Sequence, residues 1–156
     1  MPVRSLPVGH FFEALTVAAL PRLPVELRAF ETLRGRGRLL KLYYDRPEMH
    51  FEAWHHFGAG RLEIGLHFEA QPARNAAALE FFQARMVEVK ASLPRAELEP
   101  WDKGWTRLYE TLSAPALDHS LVVQAATLLA AYVIALQPML QDFLIREGGS
   151  PKHGSA

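Results

Sequence analysis

The sequence predicts an α+β domain: an antiparallel sheet of about five strands with helices packed on one face, in the order ααβββαββα. Three observations carry this. The hydrophobic period changes from 3.6 to 2 and back along the chain. The period-2 runs follow one another across short polar turns, as hairpins do, and hairpins make antiparallel sheets. The chain has 156 residues and is 49% hydrophobic, enough for one core. Residues 1–147 read as a single domain and 148–156 as a disordered polar tail.

The elements follow in order. His10 to Leu20 reads as a short helix with Phe11, Leu15 and Ala18 on one face, stopped by Pro21. Pro24 suits the first position of a second helix, with Leu23, Leu27, Phe30 and Leu33 inward and Gly35 and Gly37 at its end. Arg38 to Tyr44 reads as a strand and Asp45-Arg46-Pro47-Glu48 as a turn. Met49 to Phe57 and Leu62 to Ala70 then form a hairpin around Gly58-Ala59-Gly60-Arg61. Pro72 opens a helix to about Ser92, striped by Leu79, Phe82, Met86, Val89 and Leu93, and Pro94 ends it. Ala96 to Trp101 and Trp105 to Leu112 are two more strands, joined by Asp102-Lys103-Gly104. Asp118 caps a last helix that runs to about Glu147, with a kink expected at Pro138.

Composition excludes several functions. There is no cysteine, so a disulfide framework, a thiolate nucleophile and a Cys-based zinc or iron–sulfur site are ruled out. Lys and Arg number 17, as do Asp and Glu, and zero net charge argues against a nucleic-acid coat or membrane-surface protein while favouring self-association. Met1 to Leu20 lacks the charged and apolar regions of a signal peptide, so a cytoplasmic location is expected. Ser120 to Gln141 carries no charge, yet Gln124, Thr127, Gln137 and Pro138 interrupt it, which favours a buried helix over a membrane span.

The central hairpin is the most informative stretch. Closing it with Phe57 opposite Leu62 places His55, Ala53 and Phe51 against Ile64, Leu66 and Phe68 on a core face. His55, on that apolar face, reads as a packed histidine. The other face then pairs His56 with Glu63, Trp54 with Gly65, Glu52 with His67 and His50 with Glu69. His50, Glu52, His67 and Glu69 thus form a candidate metal or acid–base cluster: two imidazoles and two carboxylates suit zinc, manganese or iron, and a carboxylate beside histidine raises its pKa. The same pattern also serves as a cross-strand ladder that fixes register.

Two other sets of residues are candidates. Glu97, Glu99 and Trp101 alternate on one strand, and Trp105, Arg107 and Tyr109 on the next; with Trp54 they form a candidate surface for a flat ligand, a peptide or another subunit. Arg34, Arg36, Arg38 and Lys41, spaced by Gly35 and Gly37, are candidate phosphate contacts, in a segment of 41 residues with seven basic and three acidic side chains. No nucleotide-binding, zinc-protease, serine-hydrolase or deaminase motif occurs, and no cofactor is implied.

The Leu62–Phe68 run L-E-I-G-L-H-F, the long helix ending near Pro94, Leu98 with Trp101, and the strand with Arg107 and Leu108 before a closing helix resemble an uncharacterised bacterial family often attached to restriction-endonuclease-like nucleases. The resemblance covers residues 61–144 and holds no catalytic signature. It implies a role beside nucleic-acid enzymes.

The reading that these features favour is a non-enzymatic interaction or ligand-binding domain. It forms a homodimer through the helix at 118–147, whose apolar residues spread around its circumference. The alternatives are a metal-dependent hydrolase or nuclease using the His/Glu cluster, and an accessory nucleic-acid binder using the arginine run.

Overall fold

Two neighbouring prolines shape the start of the chain. In this computed structural model, which describes residues 4–148, helix α1 (Val8–Ala19) is followed by two 3-10 turns, Leu20–Arg22 and Val25–Leu27. The helix expected from Pro24 does not form. Leu23, ahead of Pro24, is extended at φ −98°, ψ 144°, and the turn that Pro24 opens stops after Leu27, where the Arg28 guanidinium donates back to the Leu23 carbonyl at 2.9 Å. Leu23 is buried without a helix around it. The chain then enters a strand, β1 (Glu31–Arg34), which pairs with β2 (Leu39–Tyr43). The glycines read as a helix end lie in this hairpin turn, where Gly37 has φ 84°.

The remaining elements are β3 (Met49–His56), β4 (Arg61–Phe68), α2 (Pro72–Gln83), α3 (Met86–Ser92), β5 (Glu97–Trp101), β6 (Trp105–Ser113) and α4 (His119–Glu147). All six strands form one antiparallel sheet in the spatial order β1-β2-β3-β4-β6-β5. The α+β class and antiparallel sheet match the sequence reading, and β1 is the strand it lacked. The long helix expected from 72 to 92 is broken between α2 and α3. There the Arg85 guanidinium lies 3.5 Å from the Phe81 ring centroid and donates to the Phe81 carbonyl, competing with the helical ladder.

The helices pack on the face carrying Leu40, Leu42, Phe51, Ala53, Leu62, Ile64, Leu66 and Phe68, all buried. Phe68 of β4 touches both Phe82 of α2 and Phe143 of α4, with ring centroids 5.6 and 6.1 Å apart. Each such phenyl contributes roughly 2–3 kcal/mol by leaving water. Asp118 Oδ1 accepts from the Leu121 N–H at 2.8 Å, so α4 is capped as its sequence predicts. α4 continues helically through Pro138. By length and hydropathy it could cross a membrane, but half of its most apolar window is buried against the rest of the chain. The sheet lies on one side of α4 and α1 packs along another, covering much of the apolar circumference. The tail expected beyond α4 falls, from residue 149 on, outside the described residues.

The β3–β4 register differs from expectation by two residues. His56 pairs with Arg61, and His50 stands opposite His67 instead of Glu69; Glu52 faces Gly65 and Trp54 faces Glu63. The loop is Phe57–Gly60, a 3-10 turn closed by Gly60 in the left-handed region at φ 60°, ψ 39°. An even shift leaves every side chain on its expected face.

Candidate functional site

The sheet face turned away from the helices holds a buried charge cluster. On β3 it presents His50, Glu52 and Trp54; on β4, Glu63, Gly65 and His67; on β6, Arg107 and Tyr109. His50 and His67 have no exposed surface, Glu63 has 1%, Glu52 has 3%, and Glu69, just past β4, has 12%. Donor atoms of His50, Glu52, His67 and Glu69 all lie within 4.8 Å of one another. The structure therefore brings together the four residues singled out from sequence.

The expected histidine–carboxylate contacts persist as diagonal ones, because residues offset by two across a ladder remain within reach of long side chains. His56 Nε2 lies 3.1 Å from Glu63 Oε1, His67 Nε2 lies 3.6 Å from Glu52 Oε2, and His50 Nε2 lies 3.6 Å from Glu69 Oε2. Closer contacts join them. His50 Nε2 is 3.0 Å from Glu52 Oε1, and His67 Nε2 is 2.7 Å from Glu63 Oε2. The two imidazoles lie side by side, 5.7 Å apart with planes 15° from parallel.

Glu63 and His67 are four residues apart on one strand, and their side chains meet across Gly65. A Cβ at Gly65 would sit 2.5 Å from the Leu108 carbonyl oxygen and 2.6 Å from Tyr109 Cβ. The glycine thus lets β6 close against β4 and leaves the lane between Glu63 and His67 free of a side chain. The expected register has Trp54 cover this glycine; with the register shifted by two, Glu52 and Tyr109 oppose it instead.

The helices lie on the other face, so the cluster is screened by its own neighbours. The Trp101 indole stands edge-on to His67 at 5.9 Å, and Trp54 lies 6.1 Å from Trp101. Arg107 packs over the Trp101 and Tyr109 rings, at 4.8 and 4.0 Å, while donating to Glu63 at 2.7 Å and to Glu99. The candidate binding surface is thus assembled, with Trp105 beside Trp101 at 5.7 Å and Glu97 opposite Tyr109. The cluster reaches solvent at Glu69, beside a shallow depression lined by Glu48, Ala70, Gln71 and Arg74.

The arginine run does not converge. Arg34 lies over the Phe12 ring at 4.6 Å, and Arg38 donates to His55 Nδ1 at 2.9 Å, both on the helix side of the sheet. That bond also satisfies His55, which is buried on the apolar face as expected of a packed histidine. Lys41 belongs to the opposite face, where its ammonium pairs with Glu69 Oε1 at 3.1 Å. Arg36 lies in the β1–β2 turn.

Burial and charge compete throughout the cluster. Burial pushes the His67 pKa down, but Glu63, Glu69 and Glu52 outweigh it and hold His67 at about 9. Burial pushes Glu69 up, yet His67, His50 and Lys41 hold it at about 2. Burial likewise opposes ionisation of Glu63, and His67, Arg107 and His56 keep it below the ordinary carboxylate range. The sequence reading missed Glu63, Lys41 and Arg107 as members of the cluster. Glu63 was legible, since Glu63, Gly65 and His67 alternate on one face. The placing of Lys41 and Arg107 depends on which strands flank the hairpin.

Comparison with family models, with curated proteins and with solved structures finds no match to this chain. The functional reading therefore rests on the geometry of the site.

Proposed function

We propose that this chain is a metal-binding domain that holds one divalent transition-metal ion between His50, Glu52, His67 and Glu69, and that it binds the ion without catalysis. The observation that carries the reading is the charge of the buried cluster. Glu52, Glu63 and Glu69 are three buried or nearly buried carboxylates, and the permanent cations beside them are Lys41 and Arg107, the latter shared with Glu99. Unbalanced buried carboxylate is costly. A proton on His67 offsets it in the metal-free protein, and a divalent ion placed among the four donors would offset it more fully.

The donor set favours zinc. Two imidazoles and two carboxylates without sulfur suit a tetrahedral Zn²⁺ ion, or manganese and iron in a wider shell. Four protein donors complete a tetrahedral shell, whereas catalytic zinc keeps one position for water or substrate. The Trp101 and Arg107 screen points the same way. Zinc titration calorimetry and elemental analysis of purified protein test the proposal, with one ion per chain as the expected result. An absence of stoichiometric uptake of zinc, manganese and iron would overturn it.

A further inference from the structure

We infer that the two histidines bind the metal through different ring nitrogens, His50 through Nε2 and His67 through Nδ1, and that Glu63 is a positioning residue that enforces the choice at His67. The inference rests on the metal-binding reading above and assigns the coordination within it.

Each imidazole already has one nitrogen committed. His50 Nδ1 lies 2.7 Å from the Pro47 carbonyl oxygen, which can only accept, so Nδ1 carries the proton. The lone pair of neutral His50 then sits on Nε2, facing Glu52 Oε1 at 3.0 Å and Glu69 Oε2 at 3.6 Å. A lone pair against carboxylate oxygens is repulsive unless a proton or a metal lies between them. Pro47 is held for this task by the turn that precedes β3, which closes with the Met49 N–H donating to the Arg46 carbonyl at 3.1 Å.

His67 mirrors the arrangement with its nitrogens exchanged. Its Nε2 lies 2.7 Å from Glu63 Oε2, and its Nδ1 is fully buried with no hydrogen-bond partner among the described residues. That orphan nitrogen faces Glu69 Oε2 at 3.6 Å. In the metal-free protein the second His67 proton sits on this nitrogen, 3.6 Å from Glu69 and too far for a hydrogen bond; a metal between the two atoms would fill that gap. The same Glu69 oxygen is 3.6 Å from His50 Nε2, so both free nitrogens converge on it. Donors of one tetrahedral ion with bonds of roughly 2.0–2.1 Å stand about 3.4 Å apart, close to these separations.

Glu63 does not itself face the ion. Its Oε1 is engaged by Arg107 at 2.7 Å and by His56 at 3.1 Å, which fixes the carboxylate and aims Oε2 at His67. A carboxylate behind a metal-bound histidine sets its tautomer and raises its basicity, and losing such a partner typically costs ten- to a hundredfold in metal affinity. Lys41 plays the equivalent part for Glu69, holding Oε1 and leaving Oε2 toward the nitrogens.

The test is long-range ¹H–¹⁵N correlation NMR on zinc-loaded protein. His67 is expected to show a protonated Nε2 and a metal-shifted Nδ1, and His50 the reverse. Glu63→Gln is expected to weaken zinc ten- to a hundredfold at unchanged one-to-one stoichiometry, whereas Glu69→Gln and Glu52→Gln remove a donor and cost more. Zinc bound with His67 coordinated through Nε2, or Glu63→Gln binding as tightly as the parent, would overturn the assignment while leaving the metal-binding reading intact. No zinc uptake by the parent protein would overturn both.

Discussion

Raising the pH of the metal-free protein should destabilise it, by an amount set by His67. In the folded chain its pKa is about 9, against 6.5 for an ordinary histidine. A group whose folded pKa is raised binds more protons folded than unfolded between those two values, so stability falls as pH rises through them. A difference of about 2.5 units at ~1.4 kcal/mol each corresponds to roughly 3 kcal/mol, most of it still present at pH 7 and lost by about pH 9.5. His55, whose pKa is lowered by burial and by Arg38, acts in the acid range instead, so the titration is best begun at pH 7. Urea unfolding in EDTA at half-unit pH steps measures the effect, and for a chain of this size a loss of 3 kcal/mol lowers Tm by roughly 6–12 °C. His67→Gln should flatten the dependence, and saturating zinc should remove it, because a metal-bound imidazole no longer exchanges that proton. A stability flat or rising between pH 7 and 9.5 in the metal-free parent would refute the charge balance assigned to the cluster.

Other outcomes follow from the same contacts. Glu63→Ala leaves Arg107 and His67 without their buried partner and should cost about 3–5 kcal/mol in EDTA, with Glu63→Gln costing less, read from urea midpoints at constant m. Gly65→Ala forces a Cβ to within 2.5 Å of β6 backbone and should cost about 1–3 kcal/mol while also weakening zinc, because β4 must move at the site. We propose further that the chain forms a homodimer through the outer stripe of α4, where Val123, Ile134 and Ile145 remain exposed. Light scattering should then report about twice 17.5 kDa at tens of micromolar, Ile134→Glu should halve it, and a monomeric parent would end that proposal.

The faces of the central hairpin were legible because their period is 2. Phe51, Ala53, Ile64 and Leu66 mark one side, and His50, Glu52 and His67 the other, under any even register. The register itself turned on one residue. Gly60 in a left-handed conformation ends the loop, and a reading that starts the loop at Gly58 instead of Phe57 shifts every pair by two. That error hid the stacking of His50 on His67, yet it preserved the cluster, since the carboxylates reach diagonally. The segment from Leu23 to Leu33 misled for a different reason. Its apolar spacing imitates a helix, but the turn that follows Pro24 stops at Leu27, and pairing with β2 decides the outcome at Glu31–Arg34. The break at Arg85 was not legible, because no proline or glycine stands between Pro72 and Pro94 to mark it. The tautomers of His50 and His67 required the Pro47 carbonyl and Glu63 to be placed in space, and no spacing rule gives that.

The most direct measurement is a crystal structure of protein grown with Zn²⁺, with anomalous differences collected on both sides of the zinc edge. One strong peak per chain is expected inside the β3–β4 face, within bonding distance of His50 Nε2, His67 Nδ1 and oxygens of Glu52 and Glu69. A map without a peak there, or with zinc bound elsewhere on the chain while His50 and Glu52 keep their direct contact, would contradict it.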